Sequence, residues 1–322
     1  MPAIRAKLMY TGTEVIENAA IQWEGDRIAS VGEAAGEVLG EYPVITPALI
    51  DAHSHIGLIR AGEPGDEAEA NDHMDSILAH ADVLDSIQMD DTGFGDSIEC
   101  GVLYSCVLPG SGNIIGGESA VIRNYGAQTN AALVRRAGIK AALGYNPMHV
   151  REWKGTRPFT RMGALAILRA KLHDVREKMN KPVKESEEPI TYTAEETVLR
   201  DLLTGEQRLR VHVHKADDVA ALLRLVDTYG IKVTVEHTCD VHNAGVFEEL
   251  RERDIPVIYG PLDTLAYKVE LKHEHWRNIE HLIASGVRFG LMTDHPVILQ
   301  RLLLLTLRWF LRAGLSKQQA LE

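Results

Sequence analysis

Eight short apolar segments, separated by segments with helical periodicity, constrain the fold of this 322-residue chain more than any other feature. Strand-like segments that alternate with helical ones are typical of a parallel sheet, and eight such repeats predict a closed (β/α)8 barrel. An open doubly wound sheet is the alternative. The predicted strands cover 48–54, 102–108, 119–123, 138–143, 209–214, 231–237, 255–259 and 287–293. The clearest predicted helices cover 163–180, 194–204, 217–229, 243–253 and 276–285.

The first part of the chain has a different pattern. Short alternating segments separated by glycine and polar turns predict a small β unit, which is too small to enclose a core of its own. The domain prediction is therefore a β segment at 1–47 followed by a barrel at 48–322. The sequence stops within a predicted helix at 316–322, so we expect a truncated chain or a missing tail there.

Composition argues against several classes of partner. The formal net charge of −12 disfavours nucleic-acid binding, which requires a basic face. No Lys or Arg occurs between Arg60 and Arg123, whereas Asp and Glu are frequent from Glu63 to Glu99. This acidic segment predicts a solvated helical surface, with recognition of a cationic substrate as the alternative.

The cysteine count and the hydropathy pattern indicate the cellular compartment in which the protein is expected. The three cysteines are too few and too scattered for a disulfide framework, and the N-terminus lacks a signal-peptide core. The most apolar stretch, 297–311, is interrupted by two arginines and is too short to span a bilayer, so it predicts a buried helix. Together these features predict a cytoplasmic protein that does not associate with membranes.

Side chains that bind metals fall at the ends of predicted strands. His53 and His55 close the first strand, and residues two apart on a strand point to the same side. The fifth and sixth strands end in His214 and His237, and the eighth ends in Asp294. Imidazole is a common ligand of zinc, iron, nickel and manganese. Because strand ends meet at one rim of a barrel, these side chains predict a metal site, although each alone could be an ordinary polar strand end.

Neighbouring residues have supporting interpretations. The side chain of His212 points to the same side of its strand as that of His214 but lies one layer deeper in the barrel. This position predicts a role in the core or in support of the metal ligands. His242 and His295 are interpreted as residues that orient a neighbour. The loop 110–116 has one residue too many for a dinucleotide fingerprint, so it predicts a barrel loop near the site or a structural glycine turn.

These motifs resemble the amidohydrolase superfamily of metal-dependent hydrolases. The residues that carry the resemblance are Pro47–His55, His214, His237 and Thr293–Asp294. More narrowly, the chain is similar to the uncharacterised imidazolonepropionase-related branch. The stretches that suggest this branch are 108–113, 144–147, 160–163, 214–218 and 293–296.

The resemblance implies a distorted (β/α)8 barrel with an accessory β-sandwich built from both chain ends, of which the C-terminal contribution is absent from this sequence. It implies that His53, His55 and Asp294 hold one metal ion. His214 and His237 would hold a second ion, or one of them would contact the substrate. Zinc is the expected metal, as one or two ions, with iron, nickel or manganese as alternatives.

A two-metal site needs a bridging ligand, and Lys140 on the fourth predicted strand lies where a carboxylated lysine could bridge. An incomplete sandwich could also expose apolar surface that a partner covers, which predicts a homo-oligomer.

The predicted activity is hydrolysis of a C–N bond, in an amide or cyclic amide of a small molecule. A divalent ion lowers the pKa of bound water to roughly 7. Asp294 would act as general base, and a neutral His237 would help to stabilise the oxyanion.

The loop after the fourth predicted strand is expected to set specificity. Its candidate substrate-binding residues are Tyr145, Asn146, His149, Arg151 and Arg161. The planar fork of Arg161 could pair with a substrate carboxylate, and a surface ion pair is the alternative.

Other functions remain open. One is a non-catalytic amidohydrolase-like scaffold, although the complete ligand set disfavours it. Another is a deaminase or phosphotriesterase reaction in the same metal barrel. No Glu follows His214 closely, which disfavours deamination, and a carboxylated Lys140 would favour phosphotriester hydrolysis. A sugar N-deacetylase would use Glu118 as a ligand.

Overall fold

The computed structural model describes residues 1–33, 36–148, 157–182 and 189–322. The chain separates into two compact units, one made of 1–49 with 305–322 and the other of 50–304. The domain ranges 1–47 and 48–322 stay a prediction, because compactness alone does not show that a segment folds independently.

The first unit contains a four-stranded sheet in the order β3-β2-β1-β4. β1 pairs antiparallel with β2 and parallel with β4, and Ala6, Met9 and Ala19 belong to one buried apolar cluster. The buried residues of β1 are Ala3, Ala6 and Met9, which are three positions apart and therefore lie on both faces of the strand. The strands are β1 Ala3–Tyr10, β2 Val15–Glu24, β3 Arg27–Gly32 and β4 Val38–Ile45.

The second unit contains an eight-stranded sheet whose neighbours follow chain order from β5 to β12. Each strand overlaps one predicted strand, and the prediction of an α/β barrel of the TIM type is confirmed. The strands are β5 Leu49–Ser54, β6 Val102–Val107, β7 Ile115–Arg123, β8 Leu133–Ala142, β9 Leu209–Val213, β10 Val233–His237, β11 Val257–Tyr259 and β12 Phe289–Leu291.

The third barrel strand departs from the regular parallel pattern. β7 pairs antiparallel with both β6 and β8. The segments that join these strands, 108–114 and 124–132, are shorter than the dozen or so residues that a parallel crossover requires. A uniformly parallel sheet is therefore wrong at this position, and the barrel is distorted there.

Hydrogen bonds join the first barrel strand to the segment that follows the last one. The Asp51 carboxylate accepts from the backbone N–H of Thr293 at 3.1 Å and also from its hydroxyl. The N–H of Asp294 donates to the carbonyl of His53 at 3.1 Å, and the N–H of His55 donates to the carbonyl of His295 at 2.9 Å. These bonds nearly close the barrel and bring the end of β5 against the segment that follows β12.

The helices begin and end close to the predicted positions. α4 starts with a capping box made by Thr193 and Glu196 and ends at Gly205, whose φ of 75° suits glycine. The helices are α1 Thr92–Glu99, α2 Thr129–Ala132, α3 Arg161–Met179, α4 Ala194–Thr204, α5 Ala216–Tyr229, α6 Ala244–Glu252, α7 Asn278–Ser285, α8 Leu303–Arg312 and α9 Lys317–Leu321.

The most apolar part of the sequence forms α8, but the prediction of a buried helix is only partly correct. Leu303 and Phe310 are buried, whereas Leu304, Leu305 and Leu311 are exposed. In the described part of the chain, no helix has both the length and the apolar character needed to cross a membrane.

Candidate metal centre

Strand ends of the barrel carry the side chains that the sequence singled out. His53 lies in β5, His237 is the last residue of β10, His214 directly follows β9, and Asp294 follows β12. The strands from β9 to β12 are parallel, and hydrogen bonds join the end of β5 to the segment after β12, so these side chains meet at one rim. His237 and Asp294 have φ angles of 79° and 52°, a conformation that non-glycine residues adopt rarely.

His53, His55 and Asp294 form the first group, with one potential ligand atom of each within 4.8 Å of the others. Asp294 Oδ1 lies 3.1 Å from His55 Nε2 and 3.5 Å from His53 Nε2. His53 Nδ1 lies 2.9 Å from a Glu236 oxygen, and His55 Nδ1 lies 2.8 Å from the carbonyl of Leu108. Each Nδ1 is thus placed to donate its proton, which leaves the Nε2 lone pairs facing a carboxylate. A cation fits this arrangement of three electron-rich atoms.

The second group consists of His212, His214 and His237, all of them buried, with ligand atoms again within 4.8 Å. His237 Nδ1 lies 2.9 Å from the carbonyl of Gly260, to which it can donate, and its Nε2 has no hydrogen-bond partner. The buried Nδ1 of His214 has none either. Buried polar atoms are rarely left unsatisfied, so these two nitrogens fit ligation of a metal ion. His212, interpreted as a supporting residue, lies within this group.

Lys140, the candidate bridging residue, lies in β8 and is fully buried. Its Nζ lies 2.9 Å from His53 Nε2, so the side chain reaches the first group. Burial lowers the pKa of Lys140 to about 8. A larger fraction of neutral amine makes carboxylation easier, but the bridging role stays a prediction.

A cavity of about 320 Å³ opens in front of these groups, and His55, His214 and Asp294 contribute to its wall. Asn146, a predicted substrate-binding residue, also lines it, as do Gly110 and Ser111 of the glycine-rich loop.

The other candidate specificity residues lie elsewhere. Tyr145 lines a neighbouring depression. Arg161 makes a two-pronged ion pair with Asp218, at 2.7 and 3.2 Å, and is not part of the cavity wall. The surface ion pair proposed as its alternative role is thus what the structure contains. His149 and Arg151 lie outside the described residues.

Glu118, considered as a deacetylase ligand, lies in β7 and pairs with Arg136 at 3.4 Å. It belongs to neither of the two groups found among the described residues.

Comparisons with known proteins point to amidohydrolases. No family model matches the chain. It is 24% identical over 281 residues to Amidohydrolase tasK of Hapsidospora irregularis, a match that covers 79% of this chain but only 28% of that protein. A crystal structure of an amidohydrolase from Thermotoga maritima MSB8 superposes with a TM-score of 0.89 at 27% identity, over 99% of this chain and 85% of the other.

The chain is therefore similar in sequence to amidohydrolases and shares the barrel fold of one of them. A Xaa-Pro dipeptidase structure with a TM-score of 0.53 and 12% identity shares the fold of this chain. The superposition covers 99% of this chain and 86% of the dipeptidase chain.

The sequence interpretation missed a buried ion pair behind the first group. Glu236 is fully buried and accepts hydrogen bonds from Arg210 Nε at 2.9 Å and from the Thr234 hydroxyl at 2.7 Å, while its other oxygen faces His53. Burial opposes ionisation of Glu236, but Arg210 and His53 outweigh it and hold the pKa of Glu236 well below its usual range. Glu236 directly precedes His237, and a charged residue at the end of an apolar strand was the available signal.

The buried histidines predict a loss of stability in acid. Burial lowers the pKa of His53 from 6.5 to about 3, and those of His212 and His295 to about 4. Between about pH 4 and 6.5 the unfolded chain binds more protons at these histidines, so their contribution to stability falls as the pH falls. Burial raises the pKa of Asp51 to about 7, so this carboxyl group increases the stability of the folded protein as the pH falls. This effect opposes that of the histidines, but it comes from a single group.

We expect the metal-free protein to lose roughly 2–4 kcal/mol of unfolding free energy between pH 6.5 and pH 5. Urea unfolding after treatment with a chelator measures this difference. Stability that is constant or higher at pH 5 would show that the histidines are protonated in the folded protein.

Proposed function

We propose that this protein is a metal-dependent hydrolase of the amidohydrolase type that cleaves a C–N bond in an amide or cyclic amide of a small molecule. The observation that carries the proposal is the position of Asp294 Oδ1 beside the Nε2 atoms of both His53 and His55, in the wall of a cavity. The resemblance to the imidazolonepropionase-related branch supports a small cyclic or acyl nitrogen compound as substrate. Cytoplasmic localisation and a homo-oligomer stay predictions.

Two sets of residues would hold metal. His53, His55 and Asp294 would hold one ion, and His214 with His237 would hold a second, with Lys140 as the proposed bridge. Nitrogen and carboxylate ligands suit zinc, which we propose as the metal, and iron, nickel and manganese are the alternatives. When bound, a divalent ion supplies polarisation of a carbonyl group and acidification of water.

Asp294 is the proposed general base. Burial opposes its ionisation, but the adjacent His55 and His53 and the nearby Lys140 hold the pKa of Asp294 well below its usual range. Its carboxylate is therefore ionised at neutral pH and can accept a proton from the attacking water and return it to the leaving nitrogen.

We propose His237 as a metal ligand and not as a donor to the oxyanion. Its Nδ1 is placed to donate to the Gly260 carbonyl, so its Nε2 carries a lone pair and no proton. Such a nitrogen can hold a metal ion, but it cannot donate a hydrogen bond to an oxyanion. This geometry favours the ligand role for His237.

A substrate screen tests the proposal. Metal-loaded and chelator-treated protein would be assayed against N-acyl amino acids, dipeptides and cyclic amides, with amino-heterocycles and phosphotriesters as rival substrates. We expect turnover of at least one amide that is lost on chelation. Turnover of rival substrates alone would favour deamination or phosphotriester hydrolysis, and no turnover with any compound would favour a scaffold.

A further inference from the structure

Lys268 is a buried cation in the wall of the candidate active-site cavity. Its side chain is 7% exposed. Among the residues described as lining this cavity, it is the only lysine or arginine. The same wall contains His55, His214 and Asp294, so Lys268 lies in the space where a substrate would meet the metal ligands.

The ammonium group of Lys268 is held in place by one hydrogen bond and one ion pair. Nζ donates to Asn146 Oδ1 at 3.0 Å and lies 2.7 Å from Glu270 Oε1. Glu270 is itself fixed, because its other oxygen accepts the backbone N–H of Tyr145 at 2.8 Å. A lysine ammonium has three N–H donors and no acceptor, so the hydrogen bond to Asn146 and the ion pair with Glu270 leave at least one donor for a ligand in the cavity. A cation fixed in this way can select for charge with little loss of side-chain entropy on binding.

Apart from Glu270, few acidic side chains lie near the charge of Lys268 in the cavity. The acidic segment from Glu63 to Glu99 contributes only Ala70 and Asn71 to the described wall, and Asp294 is the one carboxylate that lines it. Asp294 belongs to the proposed metal group. A cationic substrate would therefore meet no further carboxylate in the wall, whereas an anionic one would meet Lys268.

We propose that Lys268 determines specificity by binding a carboxylate of the substrate. This inference rests on the proposed function, and it narrows the substrate class to amides that carry a carboxylate apart from the scissile C–N bond, as N-acyl amino acids do. The carboxylate-binding role that the sequence suggested for Arg161 thus passes to Lys268, because Lys268 lines the cavity and Arg161 does not. Hydrogen bonds between charged groups are strong enough for such discrimination.

The test uses matched ligands that differ only in charge. Calorimetry would measure the binding of N-acetyl amino acids and of the corresponding uncharged N-acetyl amino acid amides to metal-loaded protein that carries Asp294→Asn to prevent turnover. We expect the carboxylates to bind at least about tenfold more tightly than the amides. Lys268→Met should weaken carboxylate binding by about 10- to 100-fold and leave amide binding unchanged, and Lys268→Arg should restore most of the preference.

Lys272→Met is the matched control, since Lys272 is exposed on the same loop and does not line this cavity. It should leave both affinities unchanged. The inference is overturned if the carboxylates bind no better than the amides, if neither binds, or if Lys268→Met retains the preference. Failure of the proposed function is a separate result, because it would appear as absence of hydrolysis in wild-type protein whatever the binding preference.

Discussion

Asp294→Asn should lower kcat by about a thousandfold on any amide that the wild-type protein hydrolyses. Loss of a positioned general base typically costs about 10²- to 10⁴-fold, and asparagine cannot accept the proton that the carboxylate takes. The amide oxygen of asparagine can still face His55, from which Asp294 Oδ1 lies 3.1 Å, so we expect the metal content to change little. Steady-state kinetics and metal analysis of the same preparation measure both quantities.

Asp227→Asn is the control for this variant, because Asp227 is 59% exposed and lies in α5 away from the cavity wall. It should keep wild-type kcat. If Asp294→Asn retains full activity with metal bound, Asp294 is not the base. If it loses metal and activity together, its role as a ligand outweighs its role as a base.

Glu236→Gln should lower the unfolding free energy by about 3–5 kcal/mol, because the substitution leaves Arg210 buried without a carboxylate partner. Arg210 would keep its hydrogen bond to the carbonyl of Ala52, at 2.8 Å, but a carbonyl does not neutralise its charge. The proton on His53 Nδ1 would also meet a weaker acceptor. Loss of such a supporting carboxylate typically weakens metal binding about 10- to 100-fold.

Glu249→Gln is the matched control, because Glu249 is 57% exposed on α6. Surface substitutions of this kind change stability by about 0.5 kcal/mol or less. Chemical unfolding of the metal-free proteins gives the stability difference, and competition with a metal-binding dye gives the affinity. Equal stability of the two variants would contradict the assigned role of the buried pair.

The barrel was predictable because strands covered on both faces are short, nearly continuous apolar segments, and because helices such as α4 carry recognisable caps. The direction of β7 was not predictable in this way, since an apolar pattern identifies a strand without giving its direction. The early start of β8, at Leu133, was missed because Arg135 and Arg136 interrupt the apolar pattern.

The rim residues were predictable for a topological reason, because the sequence places His53, His55 and Asp294 at strand ends that a barrel brings together. Contacts between side chains that are distant in the sequence could not be predicted. The sequence does not show that Arg161 pairs with Asp218, or that Glu236 in β10 lies between Arg210 and His53. Lys268 was missed because it lies in an irregular segment with no periodicity that places its side chain.

The measurement that tests the central claim most directly is the metal content per chain, determined by plasma emission spectrometry on protein purified without chelator. We predict one or two equivalents of zinc, iron, nickel or manganese. His53→Ala should lose the metal, whereas His173→Ala, a change at an exposed position of α3, should keep it. A folded wild-type protein that binds no metal after reconstitution, or His53→Ala protein with an unchanged metal content, would contradict the assignment of these side chains as a metal centre.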